Sequence, residues 1–373
     1  MKQRVILAGG GHAHLAVLAD WARHAPQDME RCLVTSSRHT AYSGMLPGWM
    51  AGQYRADELL IDLAPLAEAA GARLIVADVT GINLAAKTLI LSSGDEVGFD
   101  LVSIAIGGET DISKLAMLGD RLLPVRPVGT FMDKWSAVLD RTARTGTADI
   151  AVVGGGAAGV ELAFGAATAI RRVCRDARIS LITPRDGFMS GHAAQVRKRA
   201  LDELTKRNID VVFAQATGTA EGLLLSNDRF IPADCVIAAT GSRAPRWLAQ
   251  SGLACNEAGF VAVGADMRSI SHNRVFAAGD MIDRVDRKLE RSGVHAVKAG
   301  PVLAANLRAA ITGAETRQYQ PRDRTLYLLS LGDSRAILSW GRFAATGKWA
   351  WRIKDWIDRS FVGRCTDPER FGR

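Results

Sequence analysis

Two glycine-rich turns, far apart in the chain, have residue types and a spacing that can bind a phosphate anion. The first turn reads GGGHAH at residues 9–14, and the second reads GGGAAG at residues 154–159. In a GxGxxG turn the first glycine permits a tight bend, the second lets a pyrophosphate approach the backbone, and the third allows close packing of the following helix. Because each turn lies between an apolar segment and a run of small residues, the sequence predicts two pyrophosphate sites.

The first turn departs from this pattern at its last position, where His14 replaces glycine. We therefore expect the helix to lie farther from the strand at this point. His12 and His14 also raise the question of a metal site, but no carboxylate or cysteine lies at ligand spacing nearby. The sequence accordingly predicts no bound metal.

The acidic residue that bonds a ribose 2′-hydroxyl in many such folds is missing from both halves of the chain. Ser36 stands in its place after the first turn, and Thr183 after the second. Arg185 lies close behind Thr183 and could accept a 2′-phosphate, so NADPH has equal standing with NADH as the ligand of the second turn. The alternative, that Arg185 is an ordinary exposed charge, stays open.

Short apolar segments alternate with helical stretches along most of the chain, which predicts an α/β fold with parallel sheets. We predict two doubly wound, Rossmann-like dinucleotide-binding domains, the second inserted into the first. The first domain is expected at residues 1–123 and 242–320, and the second at residues 124–241. Residues 321–373 are expected to form a small C-terminal α+β module.

The composition excludes several classes of protein. Hydrophobic residues make up 48% and charged residues 23% of the 373 residues, as in globular rather than disordered chains. The five cysteines are scattered without a CxxC, which argues against a zinc site or a local redox disulfide. A net charge of +8 without an aromatic stacking platform predicts no nucleic-acid partner. Because an apolar strand begins within a few residues of Met1, we expect no signal peptide and a cytoplasmic protein.

Two further short segments, each following or containing an apolar strand, accompany the glycine turns. One reads ATGSRAP at residues 239–245, and the other reads VFAAGD at residues 275–280. Together with the turns, these segments resemble the pyridine nucleotide-disulfide oxidoreductase superfamily, whose members have two dinucleotide-binding domains. The resemblance covers nearly the whole chain and implies FAD in the first domain and NADH or NADPH in the second.

The resemblance implies a set of residues for each nucleotide. Asp280 ends an apolar strand, where its carboxylate can accept a hydrogen bond from a ribityl hydroxyl, and Val79 matches the position whose backbone meets the adenine. The expected flavin site comprises Gly9, Gly11, His12, Ala13, Ser36, Val79, Ala105, Gly107, Gly279 and Asp280. The expected nicotinamide nucleotide site comprises Gly154, Gly156, Gly159, Thr183, Arg185 and Gly241.

The redox-active cysteine pair of the superfamily's disulfide reductases is absent, and the chain reads YSGMLPG at residues 42–48 in its place. Electrons therefore cannot pass through a thiol beside the flavin. In this respect the chain is similar to the type II NADH dehydrogenases, which pass electrons from NADH through FAD to quinone. It resembles still more closely a family found alone or fused to selenide, water dikinase, on residues 42–48, 293–297, 300–307 and 354–359.

Two side chains are candidates for the redox chemistry. Glu161 is similar to the type II dehydrogenase glutamate near the nicotinamide and flavin, and we assign it an orienting role. Lys298 ends a segment that lacks both glutamines of those enzymes' AQxAxQ motif, and its charge could stabilise a reduced flavin. The alternative for Lys298 is a surface lysine. The missing glutamines leave the acceptor, quinone-like or other, open.

The end of the chain predicts an amphipathic basic helix. Residues 340–373 hold eight basic and four acidic side chains. Large apolar side chains recur there at helical spacing, at Trp349, Ile353, Trp356, Ile357 and Phe361. Such a face suits a membrane interface, where aromatic rings enter the headgroup region and cations meet anionic lipid. The alternative is a helix that packs this face on the flavin domain or on a second subunit, as in a homodimer.

The sequence thus predicts an FAD-dependent NAD(P)H oxidoreductase that passes electrons to a separate, unidentified acceptor. The protein would supply position and electrostatics, while the flavin supplies the redox chemistry. Two alternatives stay open. One is a flavin-binding partner or sensory protein with a vestigial nicotinamide site, and the other is a reductase linked to selenium metabolism, which follows only from the dikinase-fused family.

Overall fold

The computed structural model describes residues 3–289, 291, 293–322, 324–367 and 370. Two five-stranded parallel sheets confirm the predicted α/β fold with Rossmann-like units. In the first sheet the spatial order of strands is Val275–Ala277, Leu101–Ile104, Gln3–Ala8, Met29–Thr35 and Ala72–Val76. In the second sheet it is Leu122–Pro124, Cys235–Ala238, Thr147–Val153, Asp176–Thr183 and Ile209–Phe213.

Each sheet places its glycine turn after a central strand, Gln3–Ala8 in one and Thr147–Val153 in the other. These strands are buried along most of their length because both faces of a parallel sheet are covered. The strand order reverses at this strand in both sheets. Since open α/β sheets bind ligands in the crevice at such a reversal, the fold places both turns where nucleotides bind.

A three-stranded antiparallel unit accompanies each parallel sheet, and neither unit is predicted from the sequence. The first unit contains Val79–Asn83, Thr88–Leu91 and Glu96–Gly98. The second contains Ala216–Gly218, Gly222–Leu225 and Phe230–Pro232. Strands of three to five residues show too little periodicity to be recognised in the sequence. Short paired strands also occur at Glu109–Thr110 with Ser242–Arg243, His39–Ala41 with Leu60–Asp62, and Val261–Val263 with Ile282–Arg284.

Helices cover the sheets and pack against one another. The longer ones are His12–Arg23, Leu63–Ala69, Val128–Thr145, Ala157–Val173, Ala194–Lys206 and Gly293–Thr312. Shorter helical segments are Ser43–Met45, Leu46–Met50, Ala56–Leu59, Ala116–Arg121 and Arg246–Gln250. A Cβ at Gly300 would lie 2.5 Å from the Cβ of Ala16, so glycine allows the last of the longer helices to approach the first.

The C-terminal part is a three-stranded antiparallel sheet followed by one helix. Its strands are Leu326–Ser330, Ala336–Trp340 and Phe343–Gly347, and the helix is Lys348–Thr366. A network of charges joins this sheet to the helix Ala194–Lys206: Arg335 lies 3.2 Å from Glu203 and 2.8 Å from Asp333, and Arg207 lies 2.7 Å from Asp333. The module is therefore held against the second Rossmann-like unit.

His14, in the place of the third glycine, is fully buried. Its Nδ1 lies 2.6 Å from the carbonyl oxygen of Gly9, and its Nε2 lies 2.8 Å from the hydroxyl of Ser103. Because a carbonyl can only accept, Nδ1 donates to Gly9 and Nε2 accepts from Ser103. The imidazole thus fills the space between helix and strand and satisfies both of its nitrogens there.

We expect His14→Gln to remove part of the pH dependence of the protein's stability. Burial lowers the pKa of His14 from 6.5 to about 4, so acid protonates the unfolded chain first. The contribution of this group to the free energy of unfolding is therefore complete above the pKa of the unfolded chain. It decreases as the pH drops, by about 2 kcal/mol between about pH 7.5 and about pH 5. Denaturant unfolding should therefore show that the variant loses about 2 kcal/mol less of its free energy of unfolding between the two pH values than the wild type does. The amide of the variant can keep both hydrogen bonds, and it does not titrate. Equal losses in the two proteins would contradict a buried neutral His14.

Candidate functional site

The first glycine turn lies between the ends of three parallel strands. The amide of Gly9 donates to the carbonyl of Val34 (2.7 Å), and the amide of Gly11 donates to the carbonyl of Ala105 (3.1 Å). A Cβ on Gly9 or Gly11 would stand 2.5 or 2.3 Å from the Ala105 oxygen. Gly9 also has a φ of 98°, in the left-handed region. Both glycines are thus required by the neighbouring strand, and Ala13 follows them at the start of the helix.

The other residues expected at the flavin site surround this turn. Gly107 has a φ of 74°, and among the described residues beyond its chain neighbours no atom lies within 4 Å of the place of a Cβ there. Gly279 has a φ of 85° at the end of the strand Val275–Ala277. Val79 begins a strand of the antiparallel unit, and Ser36 is exposed just after its strand. The open backbone at Gly107 fits a nucleotide that passes close to the chain.

Asp280 forms an ion pair with Arg126, a residue that the sequence analysis missed. The side chain of Asp280 is 12% exposed and that of Arg126 is 37% exposed. Arg126 also donates to the Ser242 hydroxyl at 3.0 Å, while its amide donates to the Thr110 hydroxyl at 3.1 Å. The guanidinium therefore connects the carboxylate that the sequence predicts to bind the ribityl chain with the segment where the chain returns from the second sheet.

His12 lies among aromatic rings contributed by distant parts of the chain. Its ring centroid is 5.3 Å from that of Tyr42 and 6.0 Å from that of Phe361 on the C-terminal helix. Nε2 lies 3.4 Å from the carbonyl of Ala41, which can accept its proton. Burial lowers the pKa of His12, against the opposing effects of that carbonyl and Asp280. A neutral imidazole is therefore expected beside the first turn at physiological pH.

The second glycine turn opens onto a cleft of about 790 Å³. Gly154 has a φ of 127°, and a Cβ there would stand 2.2 Å from the carbonyl oxygen of Ala239. A Cβ on Gly159 would stand 1.9 Å from the oxygen of Gly154, whereas in the part of the chain that the structure describes nothing but the adjacent residues lies within 4 Å of one on Gly156. Of the expected residues, the cleft is lined by Gly154, Gly156, Thr183 and Gly241. It also reaches Arg126, so the two candidate sites meet at the ion pair of Asp280.

Thr183 and Arg185 take different places at this cleft. Thr183 is buried, and its hydroxyl would lie 2.3 Å from a Cβ on Gly155. Thr183 therefore packs against the backbone of the glycine turn. Arg185 is exposed, and its guanidinium carbon lies 4.2 Å from the ring centroid of Phe213. Such stacking restricts the arginine without engaging a carboxylate. Its proposed contact with a 2′-phosphate stays a prediction.

Glu161 lies on the helix Ala157–Val173, and its carboxylate faces the C-terminal module. The amide of Ser330 donates to its Oε1 at 2.7 Å. Burial raises the pKa of Glu161 to about 7, opposed by the charge of Lys354 and the Ser330 amide and reinforced by Asp358. From the sequence we assigned Glu161 an orienting role rather than proton transfer, because nothing in the sequence supports a shifted pKa. Burial of the carboxyl gives it such a shift, while its role in the redox chemistry stays a prediction.

Lys298, the other candidate for the redox chemistry, is exposed on the helix Gly293–Thr312. Its pKa is lowered by partial desolvation and by the charge of Arg322. The first residue of that helix lies nearer the first turn, since a Cβ on Gly293 would stand 3.6 Å from Nδ1 of His12. The exposure of Lys298 suits the surface alternative, while its role towards a reduced flavin stays a prediction.

The C-terminal helix has its apolar face turned outward. Trp356 is 70% exposed and Trp349 is 47% exposed, and Ile353 and Ile357 are also exposed. Only Phe361 of the predicted apolar face is buried. The alternative in which this face packs on the flavin domain is therefore wrong for its first four residues, and the membrane and the second subunit stay open. The helix instead buries its opposite side, where Ala350, Lys354, Asp358, Val362 and Cys365 lie. In the described part of the chain no helix is both long and apolar enough to span a membrane.

Two Rossmann-like units, each with a glycine turn at the reversal of its strand order, define a protein with two dinucleotide-binding folds. The chain belongs to the pyridine nucleotide-disulphide oxidoreductase family, whose model matches residues 3–300. It is an FAD-dependent pyridine nucleotide oxidoreductase, with NADH or NADPH as the second cofactor.

Comparisons with known proteins agree with this assignment. The chain is 24% identical over 358 residues to a demethylphylloquinone reductase, NdbB, of Synechocystis, covering 91% of this chain and 87% of that one. Its structure is similar to the sulfide:quinone oxidoreductase of Aquifex aeolicus, with a TM-score of 0.82 at 16% identity, covering 98% and 92% of the two chains. It is also similar to NDH2 of Plasmodium falciparum in complex with NADH, with a TM-score of 0.80 at 12% identity over both whole chains.

Proposed function

We propose that this chain transfers hydride from NAD(P)H to FAD and passes the electrons to a lipid-soluble, quinone-type acceptor at a membrane surface. The observation that supports the hydride step most strongly is the cleft of about 790 Å³, which joins the second glycine turn to Arg126 and thereby to Asp280. A demethylphylloquinone reductase among the relatives supports a quinone-type acceptor. The link to selenium metabolism stays a prediction from resemblance alone.

The residues of the chain bind the two nucleotide cofactors and provide the electrostatic environment of the reaction. Bound FAD would accept the hydride and release the electrons. Gly9 and Gly11 keep the backbone beside the pyrophosphate, and Asp280 accepts a hydrogen bond from a sugar hydroxyl. Gly156 leaves open space for the nicotinamide nucleotide. No cysteine lies in residues 42–48, so the route to the acceptor does not pass through a thiol there.

Anaerobic stopped-flow mixing of the flavin-loaded protein with NADH, and separately with NADPH, tests the hydride step. We expect rapid bleaching of the flavin absorbance by at least one of the two nucleotides. The open cleft argues against a vestigial nicotinamide site, which would leave the flavin oxidised in both experiments. Absence of bleaching with both nucleotides would therefore overturn the proposal and favour the binding or sensory protein.

The exposed face of the C-terminal helix supports the membrane part of the proposal. The exposed rings of Trp349 and Trp356 lie on the same helix as the exposed cations Lys348 and Arg352. Monomeric soluble proteins rarely expose apolar patches of this kind without a partner. Aromatic rings and cations together suit the headgroup region of anionic lipid.

The double variant Trp349→Ser, Trp356→Ser should bind vesicles of mixed phosphatidylcholine and phosphatidylglycerol about tenfold more weakly than the wild type, since it loses two interfacial rings. Co-sedimentation measures the binding, and high salt should weaken that of the wild type as well. Met117→Ser, which removes a side chain 72% exposed elsewhere, is the matched control. If the wild-type protein stays in the supernatant, membrane contact is contradicted. If the wild type is a dimer that the tryptophan substitutions dissociate, the exposed face binds a second subunit instead.

A further inference from the structure

A second group of exposed apolar side chains lies at one end of the C-terminal sheet. Leu326, Trp340 and Phe343 are 38%, 53% and 58% exposed. Leu326 pairs with Trp340 across one pair of antiparallel strands, and Trp340 pairs with Phe343 across the other. Because directly opposed residues of neighbouring strands point to the same side, the three side chains form one row on a single face of the sheet. We call these three residues the hairpin row.

The hairpin row shares its face of the sheet with the C-terminal helix. Side chains alternate along a strand, so Trp340 points to the same side as Leu338. Leu338 belongs to a small buried cluster with Ala350 of the helix. The helix thus covers one end of this face, while the hairpin row at the other end stays exposed. From Phe343 to Gly347, the residue before the helix, the strand extends about 13 Å at about 3.3 Å per residue.

The exposed apolar side chains of the protein are concentrated in this module. Of the eight tryptophans, only Trp340, Trp349 and Trp356 are exposed, and all three lie here. In the described part of the chain, seven of the fourteen large apolar side chains that are exposed lie between residues 326 and 357. Single exposed apolar residues are ordinary, whereas clustered ones mark interaction sites. The concentration therefore indicates a contact surface to which both the helix and the hairpin row belong.

Two cations flank the hairpin row. Arg342 is exposed in the turn between Trp340 and Phe343. Arg324 is also exposed, and its side chain reaches this turn, since its Cδ would lie 3.4 Å from a Cβ on Gly341. Guanidinium groups beside aromatic rings complement a surface in which anionic headgroups cover an apolar layer. Charge and apolarity together favour an anionic lipid surface as the partner of the hairpin row.

The size of the hairpin row favours lipid over a second copy of the chain. Its three side chains together expose roughly 300 Å², if a whole large side chain has about 200 Å². A stable protein interface buries about 800 Å² on each partner. A membrane does not need such an area from one contact, because two weak contacts on the same module reinforce each other.

We propose that the hairpin row, with Arg324 and Arg342, is a second contact with anionic lipid and binds the same membrane as the C-terminal helix. This inference rests on the membrane part of the proposed function. A single helix lying on a membrane can roll about its own axis, whereas a helix and a separate row of side chains fix the orientation of the module. An acceptor dissolved in the lipid then meets the protein from one direction.

Paired substitutions measure the contribution of the hairpin row. The variant Trp340→Ser, Phe343→Ser should bind vesicles of mixed phosphatidylcholine and phosphatidylglycerol about tenfold more weakly than the wild type in co-sedimentation. The matched control is Leu224→Ser, Phe230→Ser, because these residues also oppose each other across antiparallel strands and are each 43% exposed, on a different sheet. The control should bind as the wild type does. Wild-type binding by Trp340→Ser, Phe343→Ser would overturn the inference.

The variant Arg324→Gln, Arg342→Gln tests the role of charge. At low salt it should bind the same vesicles about tenfold more weakly than the wild type, since each arginine near an anionic surface contributes about 1 kcal/mol. The difference should disappear at high salt, which screens the charges. An absence of any loss at low salt, or an equal loss at high salt, would contradict recognition of anionic lipid by this pair.

Fluorescence quenching locates the ring of Trp340 directly. In Trp349→Phe, Trp356→Phe, Trp340 is the one tryptophan of the described residues that is still exposed. Vesicles with brominated acyl chains should quench its emission, and the further substitution Trp340→Phe should remove that quenching. Vesicle binding without quenching of Trp340 would overturn the inference. Because phenylalanine keeps the apolar surface, this test also decides the question if the serine variant of the hairpin row folds poorly.

The failure of this inference can be separated from failure of the proposed function. If the wild type does not bind vesicles, the membrane part of the proposed function fails and the inference fails with it. If Trp349→Ser, Trp356→Ser weakens binding but Trp340→Ser, Phe343→Ser does not, and Trp340 is not quenched, the inference alone fails. If size-exclusion chromatography shows a dimer that the substitutions at Trp340 and Phe343 dissociate, the hairpin row binds a second copy, which also overturns it. Flavin content and melting temperature check the fold of each variant.

Discussion

Gly156→Val should raise KM for NAD(P)H at least about a hundredfold while leaving the fold and the bound flavin intact. The backbone at Gly156 is extended, with φ −67° and ψ 174°, and apart from its chain neighbours no atom of the described residues lies within 4 Å of a Cβ there. A Cβ therefore fits the protein itself, and the methyl groups of valine would occupy the space that a nucleotide pyrophosphate needs. A hundredfold loss corresponds to about 2.7 kcal/mol of binding free energy.

Steady-state kinetics and stopped-flow reduction measure this effect, and the ratio of flavin to protein absorbance checks the fold. Gly129→Val is the matched control. A Cβ at Gly129 also meets no described atom within 4 Å beyond its own stretch of helix, and Gly129 lies on the helix Val128–Thr145, outside the lining of the cleft. An unchanged KM in Gly156→Val would show that the nucleotide does not pass this turn. Loss of flavin in that variant would instead assign the turn a structural role.

The glycine turns could be predicted because their requirements are local. A tight bend after a strand needs glycine at fixed positions, and the short contacts at Gly9, Gly154 and Gly159 follow directly from that geometry. The same motif does not tell which glycine faces a ligand. Gly156 faces open space, whereas its counterpart Gly11 contacts the end of a neighbouring strand.

Arg126 could not be predicted because its partner is remote. Asp280 lies 154 positions further along the chain, and the ion pair exists only once both Rossmann-like units are folded and joined. No motif near Arg126 marks it in the sequence. Contacts between units depend on tertiary packing, so a single sequence contains little local signal for them.

For the C-terminal helix, the sequence predicts the element itself but not which of its faces is buried. Its periodicity correctly indicates a helix, and Trp349 and Trp356 do share one face. Amphipathicity alone does not say which face is inside, and here the protein encloses Lys354 and Asp358 instead of the tryptophans. Their spacing of four residues was visible in the sequence, but it reads equally as an exposed ion pair on a helix surface.

Asp280→Ala should weaken FAD binding by about one to two orders of magnitude, so that the protein loses much of its flavin during purification. The substitution removes the carboxylate expected to accept a ribityl hydrogen bond, and it leaves the partly buried guanidinium of Arg126 without its partner. A hydrogen bond to a charged group contributes about 1.5–3 kcal/mol, which sets this range. Flavin titration of the apoprotein, followed by fluorescence quenching, measures the affinity.

Arg126→Gln separates the two consequences of losing Asp280. If the carboxylate binds the flavin directly, this variant should keep most of the affinity, because Asp280 remains and is 12% exposed. If the ion pair itself shapes the site, both variants should lose the flavin equally, and the double variant should lose no more than either. Asp283→Ala, which removes a carboxylate from the next strand, Ile282–Arg284, is the control and should bind FAD as the wild type does. Unchanged FAD affinity in Asp280→Ala would place the ribityl chain elsewhere in the fold.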